Sequence, residues 1–163
     1  MGRQIKDLKI GIIGYGRLGK MMKKYCDAFD AKTYVYDPYI DIEQTSLKEM
    51  FEKCDVISLH VHVTPETKYM INKHIIGLSK KNPYIINTSR GEIVNEVDIV
   101  DSLKIGLISG YGTDVVENEF DDLTKSPIIK AMNEGENIIV TPHVGGMTYE
   151  GQTKAYKWSI NKL

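Results

Sequence analysis

Short apolar runs alternate with longer amphipathic segments along the chain. Six runs rich in Ile and Val predict strands at residues 8–13, 33–36, 56–59, 84–86, 108–111 and 138–140. Most of these runs lack polar alternation, which is typical of strands that are covered on both faces in a parallel sheet.

The segments between the apolar runs show helical periodicity. Apolar residues at spacings of three and four predict helices at residues 16–28, 46–53, 95–104 and 148–163. Ser46, followed by Glu49 three residues later, has the spacing of a capping box. The acidic segment 117–127 is predicted to be a loop, because Pro127 interrupts a helix.

This alternation of strands and helices predicts an α/β fold with a doubly wound parallel sheet. Right-handed crossovers give an expected strand order of 3-2-1-4-5-6. The chain has 163 residues, of which 42% are hydrophobic and 26% are charged, so we expect one globular domain.

Composition and charge disfavour several classes of partner. The net charge of −1 provides no basic face for nucleic acid, and no apolar run reaches the length of a membrane span. No signal peptide is evident, and Cys26 and Cys54 are interpreted as buried thiols, so we expect a cytoplasmic protein. His60 and His62 need at least one more ligand to hold a metal, so no metal site is expected.

Residues 14–19 fit the pattern G-x-G-x-x-G between a predicted strand and a predicted helix. In that context Gly14 permits a tight turn, Gly16 lets the backbone approach a pyrophosphate, and Gly19 lets the helix lie close to the strand. Free N–H groups at the helix N-terminus favour phosphate. The pattern predicts a Rossmann fold that binds a dinucleotide, with residues 1–163 as its domain. The alternative is a plain strand-to-helix turn without a ligand.

Asp37 ends the second predicted strand, eighteen residues after Gly19. An acid about 20 residues after the glycines accepts hydrogen bonds from the adenosine ribose. A carboxylate there repels a 2′-phosphate, so NAD is the expected cofactor in preference to NADP. The alternative is a solvated aspartate that opens an Asp-Pro turn.

Three further polar residues follow predicted strands, where open α/β sheets bind their ligands. They are Arg90, Glu119 and His143. Arg90 can hold a carboxylate through two parallel hydrogen bonds, and His143 can exchange a proton near neutral pH. Glu119 nearby would favour the protonated imidazole. The set fits reduction of a 2-oxoacid by NADH, although each residue taken alone is also compatible with an ordinary surface position.

Several ordered motifs together resemble the D-isomer-specific 2-hydroxyacid dehydrogenases. The resemblance covers residues 8–152 and is carried by segments 12–19, 57–72, 86–94, 112–119 and 141–146. It implies that Arg90 binds the substrate carboxylate, that His143 donates the proton, and that Glu119, rather than Glu117, is its partner acid. A formate dehydrogenase-like member is disfavoured by the acid at position 119.

The resemblance also implies a cofactor site. Asp114 would hold the nicotinamide amide, while Arg17 and Leu18 would meet the pyrophosphate. Val61, Thr67 and Thr88 would line the cleft. The remaining candidate cofactor-binding residues are Tyr15, Pro38, His62, Ser89, Arg90, His143 and Gly145.

Three positions depart from the family pattern. His62 and Phe120 stand where a proline is usual, and Thr113 stands where a hydrophobic residue is usual. These departures put the local loop shape in question more than the chemistry.

Family members also carry a second, substrate-binding domain, and the resemblance implies that residues 1–163 correspond to the cofactor domain alone. We therefore expect the chain to bind NAD but to turn over 2-hydroxyacids or 2-oxoacids poorly, and the resemblance suggests a homodimer. An NAD-sensing regulatory module on the same fold is the main alternative, because fold alone does not separate a sensor from an enzyme. Another Rossmann dehydrogenase, acting on an L-hydroxyacid or a sugar, is a third hypothesis.

Overall fold

A computed structural model describes residues 2–161 of the chain. Its six strands are β1 Lys9–Ile13, β2 Lys32–Tyr36, β3 Val56–Leu59, β4 Tyr84–Asn87, β5 Gly110–Thr113 and β6 Ile138–Val140. Its α-helices are α1 Arg17–Ala28, α2 Leu47–Lys53, α3 Lys73–Ile76, α4 Glu96–Lys104, α5 Pro127–Asn133 and α6 Tyr149–Ile160. Short 3-10 helices lie at Ile5–Asp7, Gly91–Ile93 and Leu123–Lys125.

The strands form one six-stranded parallel sheet, which confirms the predicted doubly wound α/β class. Hydrophobic clusters lie on both of its faces. Ile12 and Ile13 are adjacent in β1 and both fully buried, yet they belong to opposite clusters. Successive strand residues point to opposite faces, so both faces of β1 are covered, as the apolar runs predicted.

The predicted strand order 3-2-1-4-5-6 misplaces one strand, β3. The observed order is 2-1-3-4-5-6, because β3 pairs with β1 and not with β2. The difference follows from burial: only Val35 of β2 is buried, as suits an edge strand, whereas Ile57, Ser58 and Leu59 of β3 are all buried. The sheet therefore continues from β1 to β2 on one side and to β3 on the other, and a cleft opens at the carboxyl end of β1, where the strand order reverses.

Most predicted boundaries are confirmed to within one residue, but three regions differ. The fifth strand begins at Gly110 and not at residue 108, since Ile108 is buried in the approach to the strand without pairing in it. Helices α3 and α5 were not predicted. Pro127 does not interrupt a helix but begins α5, because its fixed φ suits the first helical position.

Polar side chains cap three of the four predicted helices. The Glu49 N–H donates to the Ser46 hydroxyl at 3.2 Å, and the Asp98 N–H donates to the Asn95 side chain at 3.2 Å. Thr148 caps α6 in the same way. Helix α6 has no buried side chain among its described residues, and Leu163, predicted as its last apolar residue, lies outside residues 2–161.

Candidate functional site

The glycine turn between β1 and α1 has three glycines with different surroundings. Gly14 has a φ of +90°, and a Cβ there would lie 2.6 Å from the His60 carbonyl oxygen. A Cβ on Gly19 would lie 2.0 Å from the Gly14 carbonyl oxygen, so α1 can approach β1 only without a side chain there. A Cβ on Gly16 would meet nothing within 4 Å. Gly16 is therefore free of packing demands and faces open space, as expected for contact with a ligand.

Helix α1 presents its N-terminus to the same space. Gly16 is its N-cap, and within residues 2–161 no side chain caps this end. The first N–H groups of a helix have no partner within the helix, and they favour an anion. The turn thus fits a pyrophosphate, with Arg17 and Leu18 exposed in the first turn of α1.

Asp37 lies just after β2, at the edge of the cleft. Its Oδ2 accepts the Tyr15 N–H at 2.7 Å, and its Oδ1 accepts the Tyr39 N–H at 3.0 Å. Because each carboxylate oxygen can accept two hydrogen bonds, both oxygens retain room for a ribose hydroxyl. Asp37 thus joins the glycine turn to the end of β2 and still has free acceptor capacity.

One cleft brings together most of the predicted cofactor residues on this side of the sheet. Its lining includes Gly14, Gly16, Asp37, Pro38, Val61, His62 and Thr67. Tyr39, Glu66 and Met70, which were not predicted, also line it. Thr67 acts within the protein as well, because its hydroxyl donates to the His62 carbonyl oxygen at 2.6 Å and fixes the wall of the cleft.

The two histidines at the end of β3 differ in environment. The His60 Nε2 lies 2.9 Å from the Ser58 hydroxyl, and burial lowers the pKa of His60, which favours the neutral ring. His62 is exposed. Among residues 2–161, no three His, Cys, Asp or Glu side chains are grouped as they would be to hold a metal ion.

Past β4, two predicted cofactor residues have contrasting surroundings. Ser89 is buried, and its hydroxyl donates to the Leu59 carbonyl oxygen at 2.7 Å, so it ties β4 to the end of β3. Thr88 is exposed. Arg90 is exposed too, with its Nη1 donating to the Ser89 carbonyl oxygen at 2.6 Å.

Asp114, just after β5, organises the segment that follows β6. Its Oδ1 accepts the Thr141 hydroxyl and, at 2.9 Å, the Val144 N–H, while its Oδ2 accepts the Gly145 N–H at 2.8 Å. Burial on its own would raise the pKa of Asp114, but these three hydrogen bonds outweigh it and hold the pKa below the usual value. Thr141 is a member of this network that the sequence did not single out.

The Asp114 network places His143 opposite Glu119. The His143 N–H donates to the Asp114 carbonyl oxygen at 2.9 Å, and the residue has a φ of +53°, in the left-handed region. Its Nδ1 lies 2.7 Å from the Glu119 Oε1. A carboxylate at Nδ1 fixes the proton on that nitrogen, which leaves Nε2 to exchange a proton with a ligand. The structure therefore brings together the predicted acid–histidine pair.

Glu119 also connects this pair to Arg90. Glu119 and Arg90 line one cavity, while Glu119 and His143 line another. Phe120, in place of the expected proline, lines both, and the residue is 94% exposed. Thr113, in place of the expected hydrophobic residue, is buried with its hydroxyl donating to the Asn87 carbonyl oxygen at 3.1 Å, so the substitution leaves no unpaired polar group.

Fold and site together define a class. A parallel sheet with a glycine turn at its switch point, an acid after β2 and a histidine–carboxylate pair at the same edge is the arrangement of a nicotinamide-dinucleotide-dependent dehydrogenase domain.

Comparison with known proteins gives the family. Residues 1–145 match the family described as D-isomer specific 2-hydroxyacid dehydrogenase, NAD binding domain. The chain belongs to this family, which confirms the resemblance and NAD as the cofactor for which the domain is named.

Individual relatives agree with this assignment. The chain is 33% identical to the glyoxylate reductase of Thermofilum pendens, over 99% of this chain and 49% of that protein. It is 33% identical to the D-3-phosphoglycerate dehydrogenase of Mycobacterium leprae, over 94% of this chain and 30% of that protein. The structure of D-lactate dehydrogenase from Aquifex aeolicus, complexed with NAD and lactic acid, is 33% identical, with a TM-score of 0.84 over 99% of this chain and 54% of that one.

The chain thus spans between about a third and about half of the length of these relatives. They are dehydrogenases or reductases by name, and none favours the alternative of a cofactor-sensing module. Throughout residues 2–161, no helix combines the length and the apolar character needed to cross a membrane.

Proposed function

We propose that this domain serves an NAD-dependent D-2-hydroxyacid dehydrogenase, which interconverts a D-2-hydroxyacid and the corresponding 2-oxoacid. The observation that carries the proposal is the His143 Nδ1 to Glu119 Oε1 contact of 2.7 Å, at the sheet edge that also holds the glycine turn. A domain that only senses a cofactor needs the turn and Asp37, but it has no need of an oriented histidine.

The cofactor-binding roles follow from the cleft. The amides at the start of α1 bind the pyrophosphate, and Asp37 accepts hydrogen bonds from the adenosine ribose. Asp114 retains one acceptor position on Oδ2, which suits the carboxamide of the nicotinamide. When bound, NADH supplies a hydride to the carbonyl carbon of the 2-oxoacid.

The substrate roles belong to the opposite end of the same edge. Arg90 binds the carboxylate of the substrate as a planar fork. His143 donates the proton at Nε2 to the carbonyl oxygen that becomes the hydroxyl, and takes it back in the reverse reaction. Glu119 holds the imidazole in the required tautomer and orientation through the contact at Nδ1.

The proposal also includes the cellular compartment and the oligomeric state. We place the protein in the cytoplasm, which is supported by the free, buried Cys26 and Cys54. We also propose a homodimer, which is supported by the family resemblance. Light scattering of the purified chain tests the dimer directly, and a monomeric mass at all concentrations would contradict the proposed homodimer.

Calorimetric titration of this chain with NADH and with NADPH tests the cofactor site. NADH should bind more tightly, because the Asp37 carboxylate repels a 2′-phosphate. Equal or tighter binding of NADPH would contradict the role of Asp37, and no binding of either would contradict the cofactor site as a whole.

A turnover assay tests the proposed dehydrogenase activity. In the full-length protein that contains this domain, reduction of 2-oxoacids such as glyoxylate and pyruvate is followed by oxidation of NADH. His143→Asn should lower kcat by about 100-fold or more, because proton transfer by a positioned side chain contributes that much. NADH affinity should change little. An unchanged rate would favour a different proton donor.

A further inference from the structure

The turn that carries Asp37 is held by a side chain outside the cleft. Residues 37–46 connect β2 to α2 without regular secondary structure. Within this turn the Asp37 N–H donates to the Gln44 Oε1 at 3.0 Å, and the Gln44 Nε2 donates to the Ile40 carbonyl oxygen at 2.8 Å. One amide side chain thus contacts the backbone at both ends of the segment 37–40.

Gln44 is itself fixed to the sheet. The N–H of the next residue, Thr45, donates to the Val35 carbonyl oxygen of β2 at 2.9 Å. The Gln44 backbone is therefore held beside the end of β2, and its side chain reaches the turn from a fixed point. Asp37 is the first residue after β2, so the Gln44 Oε1 takes the place of a strand partner for its N–H.

This bracing matters because the Asp37 carboxylate must have a defined position. Its two oxygens already accept the Tyr15 and Tyr39 N–H groups at 2.7 and 3.0 Å. Only the remaining acceptor positions are open to a ribose, and their direction depends on the backbone at Asp37. A turn that moved by a fraction of an ångström would misdirect them, since hydrogen bonds weaken steeply with angle.

We propose that Gln44 is a positioning residue for recognition of the adenosine ribose: its side-chain amide fixes the Asp37 turn so that the carboxylate faces the ribose hydroxyls. The inference rests on the proposed NAD site. Gln44 does not line the cleft, so it acts through Asp37.

The test is calorimetry with NADH on the wild-type chain and on Gln44→Leu, which is close in size but cannot form either hydrogen bond. We expect the Kd for NADH to rise by about 3- to 10-fold, the equivalent of one or two neutral hydrogen bonds. Glu43→Gln is the matched control, because it changes the neighbouring exposed residue and leaves both Gln44 contacts in place.

A second readout separates positioning from general damage to the domain. Competition by ADP and by 2′-deoxy-ADP measures how much the ribose 2′-hydroxyl contributes to affinity. Gln44→Leu should reduce the preference for ADP over 2′-deoxy-ADP, whereas a purely structural defect should weaken both nucleotides equally. Thermal unfolding shows whether the variant is folded, and Gln44→Glu, which keeps the acceptor for the Asp37 N–H, should show a smaller loss of the preference than Gln44→Leu.

The outcomes are distinct. If the wild-type chain binds neither NADH nor ADP, the proposed cofactor site fails, and the role of Gln44 fails with it. If the wild-type chain binds and Gln44→Leu leaves either NADH affinity or the preference for ADP unchanged, the cofactor site stands and the positioning role is overturned.

Discussion

Asp37 and Asp114 each follow a strand of the same parallel sheet, but the fold uses them differently. The Asp37 carboxylate accepts one backbone N–H on each oxygen and borders an open cleft. Asp114 as a residue is 9% exposed, and its carboxylate accepts three hydrogen bonds from the segment that carries His143. The Asp37 carboxylate keeps free acceptor positions for a ligand, whereas most acceptor positions of the Asp114 carboxylate are occupied by hydrogen bonds within the protein.

The difference shows that an acid at the end of a strand in this fold can either bind a ligand or hold the backbone of a neighbouring segment in place. Changes near Asp37 should alter affinity with little effect on stability, and changes near Asp114 should alter stability first. The glycine turn beside Asp37 contains both kinds of position within a few residues, so it gives the strongest test.

Gly19→Ala should produce the largest effect. The new Cβ would lie 2.0 Å from the Gly14 carbonyl oxygen, so α1 must move away from β1. We expect a loss on the order of 3 kcal/mol in the free energy of unfolding, measured by urea denaturation, together with loss of NADH binding. A fold that tolerated this change without loss would show that close contact of α1 and β1 is dispensable.

Gly16→Ala is the matched control for that experiment. Its Cβ meets nothing within 4 Å, so the free energy of unfolding should fall by at most about 1 kcal/mol, the cost of a poorer N-cap. NADH affinity should fall by about 10-fold or more, since the methyl group obstructs charge-assisted hydrogen bonds from the helix terminus. Unchanged affinity would place the pyrophosphate elsewhere.

Asp114→Asn should have the next largest effect on the free energy of unfolding. One oxygen is replaced by an amide that cannot accept, so a backbone N–H of Val144 or Gly145 loses its partner. The free energy of unfolding should drop by about 2 to 3 kcal/mol at neutral pH, as for hydrogen bonds to a charged group. A loss below about 0.5 kcal/mol would mean that Asp114 does not organise the His143 segment.

The same carboxylate should make stability depend on pH. The pKa of Asp114 is lower in the folded protein than its usual value, so its contribution is complete above about pH 4 to 5 and is lost as the pH falls through the folded-state pKa. The stability difference between the wild-type chain and Asp114→Asn should therefore narrow in acid. A difference that stayed constant down to about pH 2 would assign the effect to something other than ionisation.

Asp37→Asn should affect NADH affinity more than the free energy of unfolding. NADH affinity should fall by about 10-fold, and the preference for NADH over NADPH should shrink as the repulsion of the 2′-phosphate is removed. The free energy of unfolding should change by about 1 kcal/mol or less, because the amide oxygen still accepts one backbone N–H. Greater damage to stability than to affinity would erase the contrast between the two aspartates.

Glu119→Gln should have the smallest effect on folding. The side chains of His143 and Glu119 are 42% and 19% exposed, and an ion pair this accessible contributes roughly 0 to 1 kcal/mol. Thermal unfolding at low and high salt measures it. A loss above about 2 kcal/mol would mean that the pair stabilises the loop as well as orienting the imidazole.

Much of the site could be predicted from the sequence because its signals are local. The spacing of Gly14, Gly16 and Gly19 between an apolar run and an amphipathic helix fixes a turn that few other residues could form, and Asp37 lies at a set distance along the chain. The doubly wound class followed from the alternation of apolar runs and helical segments, which depends only on the periodicities of strands and helices.

The tertiary structure alone decided features that depend on distant parts of the chain. It set the place of β3 beside β1, because the neighbours of a strand depend on total burial and not on its own pattern. It turned Asp114 toward the backbone of a segment some 30 residues later and so brought His143 to Glu119. It also placed the Gln44 side chain on the Asp37 turn. No sequence motif predicts this contact, because an exposed glutamine has no characteristic spacing and its partners are fixed only when the loop folds.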